Sequence, residues 1–235
     1  MTVDHLFVAE SMGVSFVGKA VLKSASIWAR PGDVTVLLGR NGSGKTTLFK
    51  AALGLVVRDF GTVRFNGKAY LKPNLPVLAA QGLFYLPDQG LLSRRRTLSW
   101  HLAVLRQRFP EGFRGELPSG LAAGPLLKKT IWKMSGGEER RAELALAWAR
   151  QPACLLADEP LAGIAPKDQE IVGSILRALA DGGCAVVLTG HDVRPLMSIA
   201  DQVVWMAAGT THGLGSPDDA RAHEQFRREY LGPGF

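Results

Sequence analysis

The sequence predicts an α/β protein built on a parallel sheet with helices on its faces. Three observations predict it. Apolar runs of strand length alternate with segments of helical spacing, the pattern that parallel sheets produce. Some of those runs, such as residues 34–38 and 185–189, are almost wholly apolar, as strands covered on both faces are. A glycine-rich stretch, Gly39-Arg40-Asn41-Gly42-Ser43-Gly44-Lys45-Thr46, stands between one such strand and a helix. With 46% apolar residues in 235, the chain can bury a sizeable core as one domain, or as one domain with an insertion.

Taken in order, residues 3–38 alternate apolar stretches with turn signals at Gly13, Gly18 and Pro31-Gly32-Asp33, and read as short strands. The strand over 34–38 feeds the glycine-rich turn, and a helix follows over 45–53, stopped by Gly54. Residues 61–65 and then Asn66-Gly67 read as a strand closed by a tight turn. Another strand covers 82–86 and ends at Pro87. Leu98, Leu102 and Leu105 give helical spacing over 97–109. Residues 110–125 hold Pro110, Pro118, Pro125, Gly112, Gly115, Gly120 and Gly124, which predicts a loop-rich insert. Residues 138–150 are rich in Ala, Leu and Arg and form a helix that stops before Pro152. A strand over 153–157 delivers Asp158 and Glu159. Pro166 opens a helix with apolar face Ile171, Ile175, Leu176 and Leu179, ended by Asp181-Gly182-Gly183. The strand over 185–189 delivers His191, a further strand covers 203–207, and a charged helix covers 217–230.

No apolar run approaches the roughly 18 residues of a membrane-spanning helix. The start of the chain has no basic and apolar regions of a signal peptide. Cys154 and Cys184 sit at the starts of buried strands and read as reduced core thiols, which suits a cytoplasmic protein. The net charge is +7. Between residues 89 and 133, nine Arg and Lys residues face only Glu111 and Glu116, so that segment carries the whole excess. Nucleic acid, anionic headgroups and acidic protein surfaces all fit such a segment, and so does a solvated face.

The glycine-rich stretch matches G-x-x-x-x-G-K-[ST], a phosphate cradle, in the strand–turn–helix context the motif requires. Its glycines let the backbone approach phosphates, and the amides of the helix start point at anions. Lys45 would reach the β- and γ-phosphates, and the Thr46 hydroxyl would ligate Mg²⁺. Downstream, Ser135-Gly136-Gly137-Glu138 opens a helix, Asp158-Glu159 ends a strand, and His191 closes the next one. Ser135 alone is explained by helix capping, but the two glycines after it are not.

In order and spacing, these elements resemble the nucleotide-binding domain of ABC ATPases over nearly the whole chain. The resemblance implies a P-loop NTPase fold with a RecA-like parallel-sheet core, an N-terminal antiparallel β subdomain and a small helical subdomain. It divides the single domain of residues 1–235 into a core of 1–87 and 152–235 and a helical insert of about 88–151. It implies that Gly39, Arg40, Asn41, Gly42, Ser43, Gly44, Lys45, Thr46 and Thr47 hold the triphosphate of ATP. Phe16 resembles the aromatic that stacks on adenine, although a strand-borne aromatic also suits a core. Ser135, Gly136 and Gly137 resemble the signature motif that binds the γ-phosphate of ATP held by a partner subunit. Asp158 looks like the aspartate that orders Mg²⁺, Glu159 like the general base, and His191 like the switch histidine. The implied partners are transmembrane permease subunits and a second ATPase subunit, identical or paralogous, with no nucleic acid. The implied location is cytoplasmic and peripheral, on the inner face of the cell membrane.

Two positions depart from the common pattern. Asp88 stands where the family has glutamine, and Ala165 where it has the D-loop aspartate. ATPase subunits of branched-chain amino acid importers resemble this chain at both places, and at Tyr230-Leu231-Gly232. Asp88 would then be a third Mg²⁺ ligand beside Thr46 and Asp158, since carboxylate oxygen suits a hard cation. Thr189-Gly190-His191-Asp192-Val193-Arg194 is more similar to the lipopolysaccharide-export ATPases. The resemblance therefore implies ATP-driven transport through separate transmembrane subunits, with branched-chain amino acid or related uptake as one substrate class. A soluble ABC ATPase acting on nucleic acid or ribosomes, and a weakly hydrolysing regulatory subunit, are the alternatives.

Overall fold

The computed structural model describes residues 5–232. The chain runs β1 (Phe7–Phe16), β2 (Lys19–Ala29), β3 (Val34–Leu38), α1 (Lys45–Ala52), β4 (Phe60–Phe65), β5 (Lys68–Tyr70), α2 (Leu75–Ala80), β6 (Leu83–Leu86) and α3 (Leu98–Arg108). Two 3₁₀ turns, Ser119–Leu121 and Gly124–Leu126, lie in the proline- and glycine-rich insert and at its end, and a third, Ile131–Lys133, follows. Then come α4 (Gly136–Arg150), β7 (Cys154–Ala157), α5 (Pro166–Asp181), β8 (Ala185–Gly190), α6 (Val193–Met197), β9 (Gln202–Ala207), β10 (Thr210–Gly215) and α7 (Pro217–Ala222). The strands form one sheet in the order β5-β4-β1-β2-β10-β9-β3-β8-β7-β6. The five strands from β9 to β6 are parallel, and β1, β2, β4 and β5 pair antiparallel. β10 joins the two parts, antiparallel to β9 and parallel to β2 through Thr210 and Ser24.

The parallel strands are apolar throughout because each separates two cores. Successive side chains of a strand point to opposite faces. Val34, Val36 and Leu38 of β3 therefore pack with Leu155 and Ala157 of β7, Val186 and Leu188 of β8, and the helices α4 and α5. Leu37 points the other way, with Leu156 and Val187, into the core covered by α1. That second core also takes Phe7, Met12, Ile27 and Phe65 from the antiparallel strands. At eight residues, α1 is too short to be stable alone. Leu48 and Phe49 are fully buried and contribute about 1.5–3 kcal/mol each. Cys154 and Cys184 are buried free thiols, as the sequence predicts.

The structure corrects the sequence reading in four places. The first two strands are long, ten and eleven residues, and β1 is irregular around Ser11, which has φ 51. The helix expected over 217–230 is broken at His223, whose Nδ1 accepts from the Phe226 amide and so starts a new turn. α2, α6 and β10 were not legible, being five or six residues each and too short for a periodic pattern. α4 starts at Gly136 rather than Glu138, because Ser135 and Glu138 close a capping box around its first turn. Among the described residues, no helix is long and apolar enough to cross a membrane.

Candidate active site

Strand register gathers the chemistry. Leu38 of β3 is level with Gly190 of β8, and Leu188 of β8 with Ala157 of β7. Ala157 is in turn level with Leu86 of β6. β6 and β7 therefore end two residues below β3 and β8 at the same edge of the sheet, and the next residues are Gly39, His191, Asp158 and, after Pro87, Asp88. The carboxyl ends of parallel strands are where open α/β sheets build their sites. A cavity of about 420 Å³ lies there, lined by Asn41, Gly42, Gly44, Lys45, Thr46, Thr47, Asp88, Glu159 and His191, with Val21 of β2 at one side.

The glycine-rich loop is built for an anion. Gly42 and Gly44 have φ 79 and 109, a region that suits glycine alone. Gly44 is the N-cap of α1 and gives it no side-chain cap, so the first amides keep their donors. Lys45 is buried and folds back over the loop. Its Nζ donates to the Gly39 carbonyl at 2.8 Å and the Arg40 carbonyl at 3.4 Å. It also forms an ion pair with Glu159 Oε1 at 3.1 Å.

Asp158 and Glu159 are adjacent in sequence but sit in different environments. Asp158 is fully buried. Burial pushes its carboxyl up, and hydrogen bonds from Thr189 and Thr46 offset part of that rise. Thr189 Oγ1 donates to Asp158 Oδ1 at 2.6 Å and accepts from the Glu159 amide at 2.9 Å. Asp158 Oδ2 is buried with no hydrogen-bond partner among the described residues. Such an oxygen, beside the Thr46 hydroxyl, fits a hard divalent cation. Glu159 has φ 49, a strain on the order of 1 kcal/mol for a residue with a Cβ. That backbone turns its side chain to the cavity, between Lys45 and His191, whose Nδ1 is 3.0 Å from Glu159 Oε2.

Asp88 opens onto the same cavity, and its backbone is anchored from α4. Arg140 donates to the carbonyls of Pro87 at 3.2 Å and Asp88 at 2.8 Å, and pairs with Glu143 at 2.9 Å. Burial pushes Glu143 up to about 7; Arg140 lowers it, and Glu139 and Asp88 raise it further. Tyr85 is half-buried beneath, its hydroxyl without a partner among the described residues, and it is pushed up by burial and by Asp158 and Asp88.

Ser135, Gly136 and Gly137 do not line the glycine-rich loop's cavity. They form the capped start of α4, and Gly136 faces the Gly163 backbone. A Cβ on Gly137 would overlap the Asp168 carboxylate, so this glycine also lets α4 and α5 approach. Arg141 seals that junction with an ion pair to Asp168 at 3.3 Å. Phe16 is 46% exposed at the end of β1, so it is not a core aromatic, but it does not line the cavity either. The structure thus joins Lys45, Thr46, Asp88, Glu159 and His191, over a buried Asp158. Sequence reasoning missed Thr189, Arg140 and Tyr85. Thr189 had a readable signal, a lone hydroxyl at the end of an apolar strand. Arg140 had none, since its helix is rich in arginine.

A family model described as ABC transporter matches residues 22–162. The lipopolysaccharide export system ATP-binding protein LptB of Haemophilus influenzae is 32% identical, over 98% of each chain. LptB of Escherichia coli is 31% identical over 97% of each chain. A probable ABC transporter ATP-binding protein of Azorhizobium caulinodans is 33% identical over all of this chain and 85% of its own. Among solved structures, an ATP-binding cassette in its ADP conformation superposes with TM-score 0.82 at 20% identity, covering 98% of this chain and 100% of that one. A nucleotide-free cassette gives TM-score 0.83 at the same identity and coverage.

Proposed function

The chain belongs to the ABC transporter family as an ATP-binding, ATP-hydrolysing subunit that uses Mg²⁺, and from that premise we propose which residues do the work. Gly39 to Thr47 hold the triphosphate, and Phe16 stacks on the adenine. Thr46, Asp158 and Asp88 hold the metal, whose charge draws electron density from the phosphate oxygens. Glu159 orients and polarises the attacking water, and His191 steadies Glu159 and faces the γ-phosphate. Ser135, Gly136 and Gly137 serve the ATP of a second subunit, so the working unit is a head-to-tail pair. Residues 88–151 act as the helical subdomain and dock a transmembrane permease, which sets the chain on the inner face of the cell membrane.

The observation that carries this reading is the position of Glu159 between Lys45 at 3.1 Å and His191 at 3.0 Å. In this arrangement the cation that should meet phosphate is held by the base that should meet water. An incoming triphosphate competes for Lys45 and releases the carboxylate. Glu159→Gln should keep ATP affinity, lose turnover by about a hundredfold or more, and accumulate dimer. Unchanged steady-state hydrolysis in that variant would sink the base assignment.

For the cargo, the relatives named for lipopolysaccharide export support an amphiphilic lipid moved outward more than they support amino acid uptake. That reading is tested by which permease subunits co-purify with the chain, and by whether lipid or amino acid stimulates the complex.

A further inference from the structure

The C-terminal segment reaches back to the nucleotide site, and none of the roles above uses it. After α7 the chain turns at His223 and ends the described residues in a π-helical turn, Arg227–Leu231. Phe226 is fully buried and stands edge-on to Trp205 of β9, 5.7 Å between ring centroids. Tyr230 stacks on Phe226 at 5.3 Å with 22° between planes. The phenol is therefore held on one face by the core. Its hydroxyl donates to the His191 carbonyl at 3.3 Å. Next to it, Arg40 Nη2 donates to the Glu229 carbonyl at 2.8 Å. Elsewhere a cavity of about 540 Å³, lined by Ser43, Trp205, Ala208 and Arg228, separates this strap from the back of the loop. These hydrogen bonds, rather than general packing, make the connection.

His191 needs such an anchor. Its side chain is 40% exposed, and the five-residue helix after it starts at Asp192 with no side-chain cap. We propose that Tyr230 is a positioning residue for hydrolysis, its hydroxyl holding the His191 backbone, beside the Arg40–Glu229 bond, so that the imidazole stays on Glu159. This rests on the roles given above to Glu159 and His191. The strap thus couples the P-loop to the switch residue within one subunit, and movement of the C-terminus would be felt in turnover.

The test compares Tyr230→Phe, which removes only the hydroxyl, with Tyr230→Ala, in the full-length chain with its transport partners. Tyr230→Phe should lower kcat about fivefold, the loss of one hydrogen bond, with ATP affinity within about twofold. Its unfolding temperature should match the wild type, because the stack on Phe226 remains. Wild-type kcat in Tyr230→Phe would overturn the proposal and leave the ring as packing. A loss of ATP affinity that accounts for the whole defect would overturn it too, making Tyr230 a binding contact. Should Tyr230→Ala fail to fold, the Phe variant still decides. Glu159→Gln is measured alongside: turnover surviving there removes the base assignment, an outcome separate from any defect at Tyr230.

Discussion

The molecule offers anions two helix starts, and they are prepared differently. α1 begins at Gly44 with a left-handed backbone and no side-chain cap. α4 begins at Ser135 with a closed capping box, and Lys129 pairs with Glu138 at 2.5 Å to hold it shut. In the second case the serine hydroxyl already takes the third amide, so only the amides of Gly136 and Gly137 remain for a ligand. The first start needs an anion to satisfy it and has Lys45 and a buried carboxylate around it. The second is stable without one. On the proposed roles, the half-site that waits for another subunit's ATP gains from being finished in advance, and the one that captures nucleotide gains from being left open.

The largest effect should come from breaking the open start. Lys45→Ala should weaken ATP binding by about a hundredfold, roughly 3 kcal/mol, measured by calorimetric titration. In a mixed dimer with one intact loop, the altered chain should still serve its partner's ATP. Equal loss at both sites would mean that the two starts are not separate functions.

Next comes the junction that sets the closed start. Gly137→Ala forces a methyl group onto Asp168 and should destabilise the fold by about 2 kcal/mol in denaturant melts. Adding Asp168→Ala should restore part of that loss. No recovery in the double variant would show that the glycine is needed for backbone freedom instead.

In the α4 half, one carboxyl carries a pH dependence. Glu143 moves from 4.5 to about 7 through burial. A carboxyl raised on folding adds stability that is full below pH 4.5 and is lost as pH rises through 7. Between pH 5 and 8 the wild type should therefore lose about 2 kcal/mol relative to Glu143→Gln. Parallel melting curves for the two proteins would contradict this. The smallest effect is Ser135→Ala, about 1 kcal/mol of stability from the lost cap, read by thermal unfolding without nucleotide.

Much of the site was legible because its residues sit at boundaries. Glycine, serine and charged residues stand out where an apolar strand stops, so Gly39, Asp158 and His191 could be found from one chain. The long helices α3, α4 and α5 were legible for the same kind of reason, since three or more turns repeat a pattern. Thr189, Arg140 and Tyr230 were not read as parts of the site. Each acts through a partner far away in sequence, and nothing in its own neighbourhood marks the contact. The break at His223 was hidden as well, because an imidazole capping Phe226 is invisible until the backbone has turned.

By itself, then, the sequence determined the α/β class, the phosphate loop and the residues proposed to do the chemistry. These follow from local patterns of apolar periodicity, glycine placement and charge. Only the tertiary structure decided how the groups meet: the strand register that sets Asp158 beside Thr189, two residues below His191, and the ion pair between Lys45 and Glu159. It also placed the signature glycines away from the chain's own cradle, and brought the C-terminal tyrosine against His191. Distances between side chains depend on register and packing across the whole sheet, and no stretch of sequence contains them.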